Sequence, residues 1–192
     1  MSADDSVFAA LLGKDFAGLA APVRALHALD GRPCWRGQCV VSRGGHPLAR
    51  LCAWAARLPP AGKGVPTTVQ FQRQRGQEIW TRHFGTAQMR SRMWPQRGCL
   101  RERLGLVQFD FALSASAGDI LWHTKRVRVF GLLPLPARWF ARVQCREGHD
   151  ARGRYTFDVQ ASLPWIGLIV RYQGWLLPDP GTDPGPGLNP PH

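Results

Sequence analysis

The sequence predicts an α+β fold: N-terminal helices packed on a curved antiparallel sheet of about seven or eight strands, as in a half-barrel or a helix-grip or lipocalin-like domain. Three observations carry this expectation. Between Val65 and Leu176 apolar residues alternate at every second position, as in Val107-Gln108-Phe109-Asp110-Phe111-Ala112-Leu113 and Tyr155-Thr156-Phe157-Asp158-Val159-Gln160-Ala161. That is the pattern of strands with one apolar and one wet face. Turn formers separate the runs at Arg75-Gly76, Gly85, Arg97-Gly98 and Ala117-Gly118-Asp119, as an antiparallel sheet requires. Helical spacing is confined to the part of the chain before Pro59.

Taken in order, Asp4, Asp5 and Ser6 suit an N-cap and first turn. Phe8, Leu11 and Leu12 form an apolar stripe, and Gly13 is a natural stop. Pro22 suits the first turn of a second helix that carries Val23, Leu26 and His27, before the turn signal Asp30-Gly31. Trp35 to Val41 reads as a strand. Pro47 to Leu58 reads as a helix, because Leu48, Leu51, Cys52 and Ala55 fall at i, i+3, i+4 and i+7. Strands follow near Thr67–Gln74, Glu78–Phe84, Ala87–Met93, Leu100–Ser114, Ile120–Phe130, Arg142–Glu147, Arg154–Ala161 and Ile169–Leu176. Two prolines make Leu132 to Pro136 a rigid extended loop. From Pro178 the chain is Pro/Gly-rich without an apolar anchor. Residues 1–177 are therefore expected to form one domain and 178–192 a disordered tail.

A chain of 192 residues, 44% hydrophobic and 20% charged, is long enough for one domain with a real core. Its net charge of +12 suits phosphate, nucleic acid or anionic lipid. The basic residues are mostly Arg and are spread along the chain, which is equally the mark of a GC-rich genome. None of the five cysteines forms a CxxC pair, and no histidine completes a zinc pattern. A reduced, cytoplasmic protein without metal or cofactor is expected. The acidic start is not followed by a long apolar stretch, so no secretory signal is expected. Leu163 to Val170 is too short for a membrane span, which needs ~20 apolar residues.

Further motifs carry a likeness. Phe8-Ala9-Ala10-Leu11-Leu12-Gly13 and Leu19-Ala20-Ala21-Pro22-Val23-Arg24-Ala25-Leu26-His27 open it, and Trp80-Thr81-Arg82-His83-Phe84-Gly85 and Glu102-Arg103-Leu104-Gly105 continue it. Gly131-Leu132-Leu133-Pro134-Leu135-Pro136, Leu163-Pro164-Trp165-Ile166-Gly167 and Tyr172-Gln173-Gly174-Trp175-Leu176 close it. In order and spacing these resemble an uncharacterised bacterial family, domain of unknown function 4166, from Phe8 to Leu176. The resemblance implies no activity. It implies an accessory role beside a dehydrogenase-like partner, since similar domains occur fused to a nucleotide-binding domain or to membrane segments. No GxGxxG follows a strand here, so the chain carries no such domain itself.

A curled sheet with helices makes a concave apolar interior, the usual place for a small ligand. Val107, Phe109, Phe111, Tyr155, Phe157 and Val159 are the expected wall. Arg82 and His27 are expected as polar anchors at the rim, with Tyr172 and Trp175 closing one end. His123 shares strand parity with Leu121, Val127 and Val129 and would face inward with Lys125, unless a bulge changes the register. Glu102 and Glu147 sit in basic strand segments. Each either pairs with a neighbouring Arg (Arg101, Arg103 or Arg146) or joins His27 in acid–base work. The expected function is non-catalytic binding of a hydrophobic, anionic small molecule. One alternative is an enzyme using Glu102, Glu147 or His27 in the same cavity. Another is nucleic-acid binding through an Arg-rich face around Arg90-Ser91-Arg92-Met93-Trp94.

Overall fold

The computed structural model describes residues 6–28, 34–74 and 76–182. Its strands are β1 (Cys34–Arg43), β2 (Gly62–Gln74), β3 (Gln77–Phe84), β4 (Ala87–Gln96), β5 (Cys99–Leu104), β6 (Val107–Ser116), β7 (Asp119–Val129), β8 (Leu133–Leu135), β9 (Arg142–His149), β10 (Tyr155–Leu163) and β11 (Gly167–Pro178). All pair antiparallel, in the order β6-β5-β4-β3-β2-β1-β11-β10-β9-β7-β8. The hairpin contact β6–β7 joins the two ends of that order, so ten strands close into a barrel. β8 hangs from the far end of β7, pairing over Val127–Val129, while β9 pairs with β7 over Ile120–His123.

The antiparallel sheet and leading helices agree with the sequence reading. The seven- or eight-strand half-barrel does not: the sheet is larger and it closes. Leu100–Ser114 is two strands, not one, divided at Gly105-Leu106. Gly105 turns there with φ 56°, and a Cβ on it would lie 2.4 Å from the Ala55 carbonyl oxygen. Only glycine meets both conditions cheaply. Closure itself rests on pairing of β1 with β11, Trp35 opposite Pro178 and Arg43 opposite Val170. Local alternation carries no trace of a partner that distant in sequence.

Helix α1 (Val7–Leu12) is capped by the Ser6 hydroxyl, which accepts from the Ala9 amide at 3.0 Å. A short 3-10 segment, Gly13–Gly18, leads to α2 (Ala21–Ala28). Together α1 and α2 plug one end of the barrel: Phe8, Val23, Leu26 and His27 are fully buried among Trp80, Trp122 and Phe111. At the other end, α3 (Pro47–Ala55) docks through small residues, Ala49 and Ala53, against Ile169. Its larger apolar stripe, Leu48, Leu51 and Trp54, faces solvent. This reverses the arrangement that amphipathic spacing ordinarily signals. Among the described residues no helix is long and apolar enough to cross a membrane. Of the expected tail, Pro178 completes β11, Asp179 pairs with Arg36 at 2.7 Å and Pro180–Thr182 form a 3-10 turn. Residues 183–192, like 1–5 and the Asp30-Gly31 turn, lie outside the described residues.

Candidate functional site

The side chains that point into the barrel come from strict alternation, so each inward residue is fixed by its strand's register. On β3 these are Glu78, Trp80, Arg82 and Phe84; on β5, Leu100, Glu102 and Leu104; on β10, Tyr155, Phe157 and Val159. Most of the lumen is filled. A void of about 80 Å³ remains, bounded by Phe111, Trp122, Cys145, Glu147, Phe157 and Tyr172 together with Arg82 and Glu102. That is room for several waters. On β10 and β6 inward residues pass from buried near the helical plug to half-buried toward the opposite end, in the series Tyr155, Phe157, Val159, Ala161 and Phe111, Phe109, Val107. On the other strands Phe84, Met89, Leu104 and Val170 stay buried at the α3 end, so the lumen is least covered beside β6 and β10.

Charged groups meet inside this apolar shell. His27 and Glu147 are hydrogen-bonded through Nε2 and Oε2. The imidazole is packed on Phe8, with ring centroids 3.8 Å apart, and is fully buried. Its Nδ1 has no partner among the described residues, so the tautomer with hydrogen on Nε2 leaves only a lone pair unsatisfied. Across the lumen, Arg82 donates to Ser91 Oγ at 2.8 Å, lies 3.6 Å from Glu102 and sits 4.8 Å from the Trp80 ring. The Arg82–Glu102 contact is long for a charge-assisted bond, which leaves the guanidinium donors available to a further acceptor. Trp122 also borders the void, and its buried indole N–H has no protein partner among the described residues. The Cys145 thiol approaches Glu147 Oε1 at 3.9 Å. Burial, then the Glu147 charge, push its pKa well up, so it stays a thiol rather than a nucleophilic thiolate. Burial, opposed by Arg82, likewise raises the Tyr172 phenol; burial and the Glu147 charge raise Tyr155.

The family model described as Domain of unknown function (DUF4166) matches residues 19–176. This chain belongs to that family. No curated protein matches it.

In this DUF4166 barrel the expected site residues fall into three groups. Arg82, Glu102, Phe111, Glu147, Tyr155, Phe157, Val159 and Tyr172 all border the void. His27 lies behind it, sealed between the plug and the wall rather than at a rim. Val107 and Phe109 face inward nearer the mouth, Phe109 stacking on Phe111 at 5.4 Å. Two expectations fail. His123 faces outward, bonded to Ser114 Oγ at 3.2 Å. Asp110 pairs with Arg126 and Phe111 with Thr124, so Lys125 is the extra residue of a bulge and parity read back from Val127 inverts there. Trp175 also lies on the outer face, under the Arg154 guanidinium at 4.2 Å. Three positions separate it from Tyr172, an odd number, so the two cannot share a face.

The pairing of Glu102 and Glu147 with adjacent arginines fails for the same reason. Sequence neighbours on a strand point to opposite faces. Arg101 instead holds Asp110 at 2.6 Å and Arg146 holds Asp119 at 2.7 Å, both on the outside. Sequence reasoning also passed over Glu78. This buried carboxylate accepts from the Val7 amide at 2.8 Å and from Trp80 Nε1 at 3.1 Å, fastening α1 to the wall. Its parity with Trp80, Arg82 and Phe84 is the signal that marks it as inward.

Proposed function

We propose that this domain binds a small, predominantly apolar molecule in the barrel lumen, with its polar head at Arg82. The observation that carries the reading is the void bounded by aromatic and aliphatic walls, at which the incompletely engaged Arg82 supplies a polar anchor. Such a site, apolar with few polar anchors, suits ligand binding. At about 80 Å³ the space suits only a short guest unless the half-buried Phe157 and Val159 swing aside. Glu102 shares Arg82, so an anionic head competes with that carboxylate, while a hydroxyl head bridges both. The acid–base alternative gains one contact, His27 to Glu147, but His27 is sealed from the void, and Glu102 lies beside Arg82 rather than beside His27. Free thiols at all five cysteines support a reducing, cytoplasmic setting.

The test is calorimetric titration with hexanol and with hexanoate, after organic extraction of the purified protein and mass spectrometry of the extract. Binding of either, lost in Val159→Phe and weakened in Arg82→Gln, is the expected result. A clean extract together with no heat from either probe overturns the proposal.

A further inference from the structure

The end of the barrel opposite the helical plug has an unusual surface. Besides Leu48, Leu51 and Trp54 on α3, it carries Leu106 in the β5–β6 turn, Phe130 and Leu132 after β7, and Trp165 in the β10–β11 turn. Trp165 is 87% exposed, Leu132 85% and Trp54 71%. These residues come from four separate chain segments, yet the topology brings them together. The Leu106 amide donates to the Ala55 carbonyl at the foot of α3, and the Phe130 amide donates to the Leu106 carbonyl at 2.8 Å. Ile166, next to Trp165, packs on Ala49, Ala53 and Ile169 beneath α3. Side chains of this size are ordinarily covered, and an exposed group of them marks a contact site.

The charge at this end is one-sided. Segments 43–66, 84–87, 104–107, 129–142 and 162–168 contain Arg43, Arg50, Arg57, Lys63, Arg138 and Arg142 but no Asp or Glu. Beside them, Arg57, Arg90, Arg92 and Arg103 line an open hollow that reaches Gly105 and Leu106. Among the described residues none of these four pairs with a carboxylate, whereas several outward arginines elsewhere do: Arg101 with Asp110, Arg146 with Asp119, Arg154 with Asp150 and Arg171 with Asp158.

We propose that this end docks on an anionic lipid bilayer. Protruding Trp, Phe and Leu side chains enter the boundary between headgroups and acyl chains, and the unpaired arginines meet lipid phosphates. This combination is how interfacial proteins hold a membrane. The charge complementarity selects a negatively charged lipid surface over an apolar protein groove, which gives unpaired arginines no partner. The least covered side of the lumen, at Val107, Phe109, Phe157 and Val159, lies toward this same end. If the cavity reading above holds, its guest passes between bilayer and barrel without crossing water; that last step rests on the earlier proposal, and the docking does not.

Co-sedimentation of the full chain with phosphatidylcholine vesicles, with and without phosphatidylglycerol, tests the docking. Binding is expected with phosphatidylglycerol, falling as salt rises. It is expected to weaken by roughly tenfold or more in a Trp54→Glu/Trp165→Glu double variant and severalfold in Arg90→Gln/Arg92→Gln/Arg103→Gln. All five positions are exposed, so the thermal melt of each variant should match the parent and separates lost docking from lost folding. Failure to pellet with either vesicle overturns the proposal. So does a concentration-dependent dimer abolished by Trp54→Glu, which would place a second copy on this face, or retention on single-stranded oligonucleotide in place of vesicles. Vesicle binding, with a clean extract and no heat from hexanol or hexanoate, would sink the cavity reading and leave the docking intact.

Discussion

The imidazole of His27 and the carboxylate of Glu147, 120 positions apart in sequence, meet inside the barrel. This contact fastens α2 to β9 across a surface that is otherwise apolar. Replacing one partner leaves the other buried without compensation. His27→Ala should therefore cost about 3–5 kcal/mol, including loss of the packing on Phe8. Glu147→Gln, which keeps the shape and a hydrogen bond, should cost clearly less. Urea denaturation of the two variants measures this, and equal, small losses would count against the pairing.

The outer face holds a second buried charge. Asp110 accepts from Arg101 at 2.6 and 3.0 Å and from Arg128 at 3.3 Å. Burial pushes its carboxyl up, but the two guanidiniums outweigh this and hold its pKa below the usual carboxylate range. A folded-state value below the unfolded one gives stability that is present above about pH 4. That stability is lost as pH falls through the folded value. Thermal melts across the acid range should show this loss, and Asp110→Asn should be less stable near neutrality and show a flatter acid limb.

Gly105 is a backbone requirement. Its φ of 56° and the Ala55 oxygen beside it exclude a side chain. Gly105→Val should destabilise the domain by on the order of 2 kcal/mol or more. Because the same turn supports Leu106 against α3, near-ultraviolet circular dichroism should report a changed tryptophan environment as well.

Cys145 borders the void, and its thiol is held protonated by burial and by the Glu147 charge. Iodoacetamide at mildly alkaline pH should leave it unmodified in the native protein and alkylate it after denaturation. Peptide mapping by mass spectrometry makes the comparison, and rapid native alkylation would contradict the geometry.

Much of this architecture was legible because alternation is a direct readout of a half-buried strand. The inner positions of Tyr155, Phe157 and Val159 follow from it; that of Glu102 does not, because a single strand over Leu100–Ser114 sets it on the face opposite Phe109, and only the turn at Gly105-Leu106 reverses this. What stayed hidden has physical causes. One extra residue at Lys125 inverts the parity of β7, and nothing in its composition announces a bulge. Trp175 shares aromatic character with Tyr172 but not orientation, because the odd offset between them places it outside. For α3, spacing identified the helix but not the face that packs, because two alanines fit the barrel wall more closely than leucines could. The Arg82–Glu102 and His27–Glu147 contacts depend on tertiary pairing, which short-range pattern does not encode.

The seam between β1 and β11 has a consequence for how the chain reaches this state. Those two strands must find each other across nearly the whole polypeptide, so joining them demands a large loss of chain freedom before any contact repays it. A polypeptide halted before Gly167 would present β1 and β10 as raw edges, with unpaired amides ready to recruit other molecules. Assembly of this domain is therefore expected to be slow and late-committing, with its greatest exposure to aggregation just before the last strand arrives.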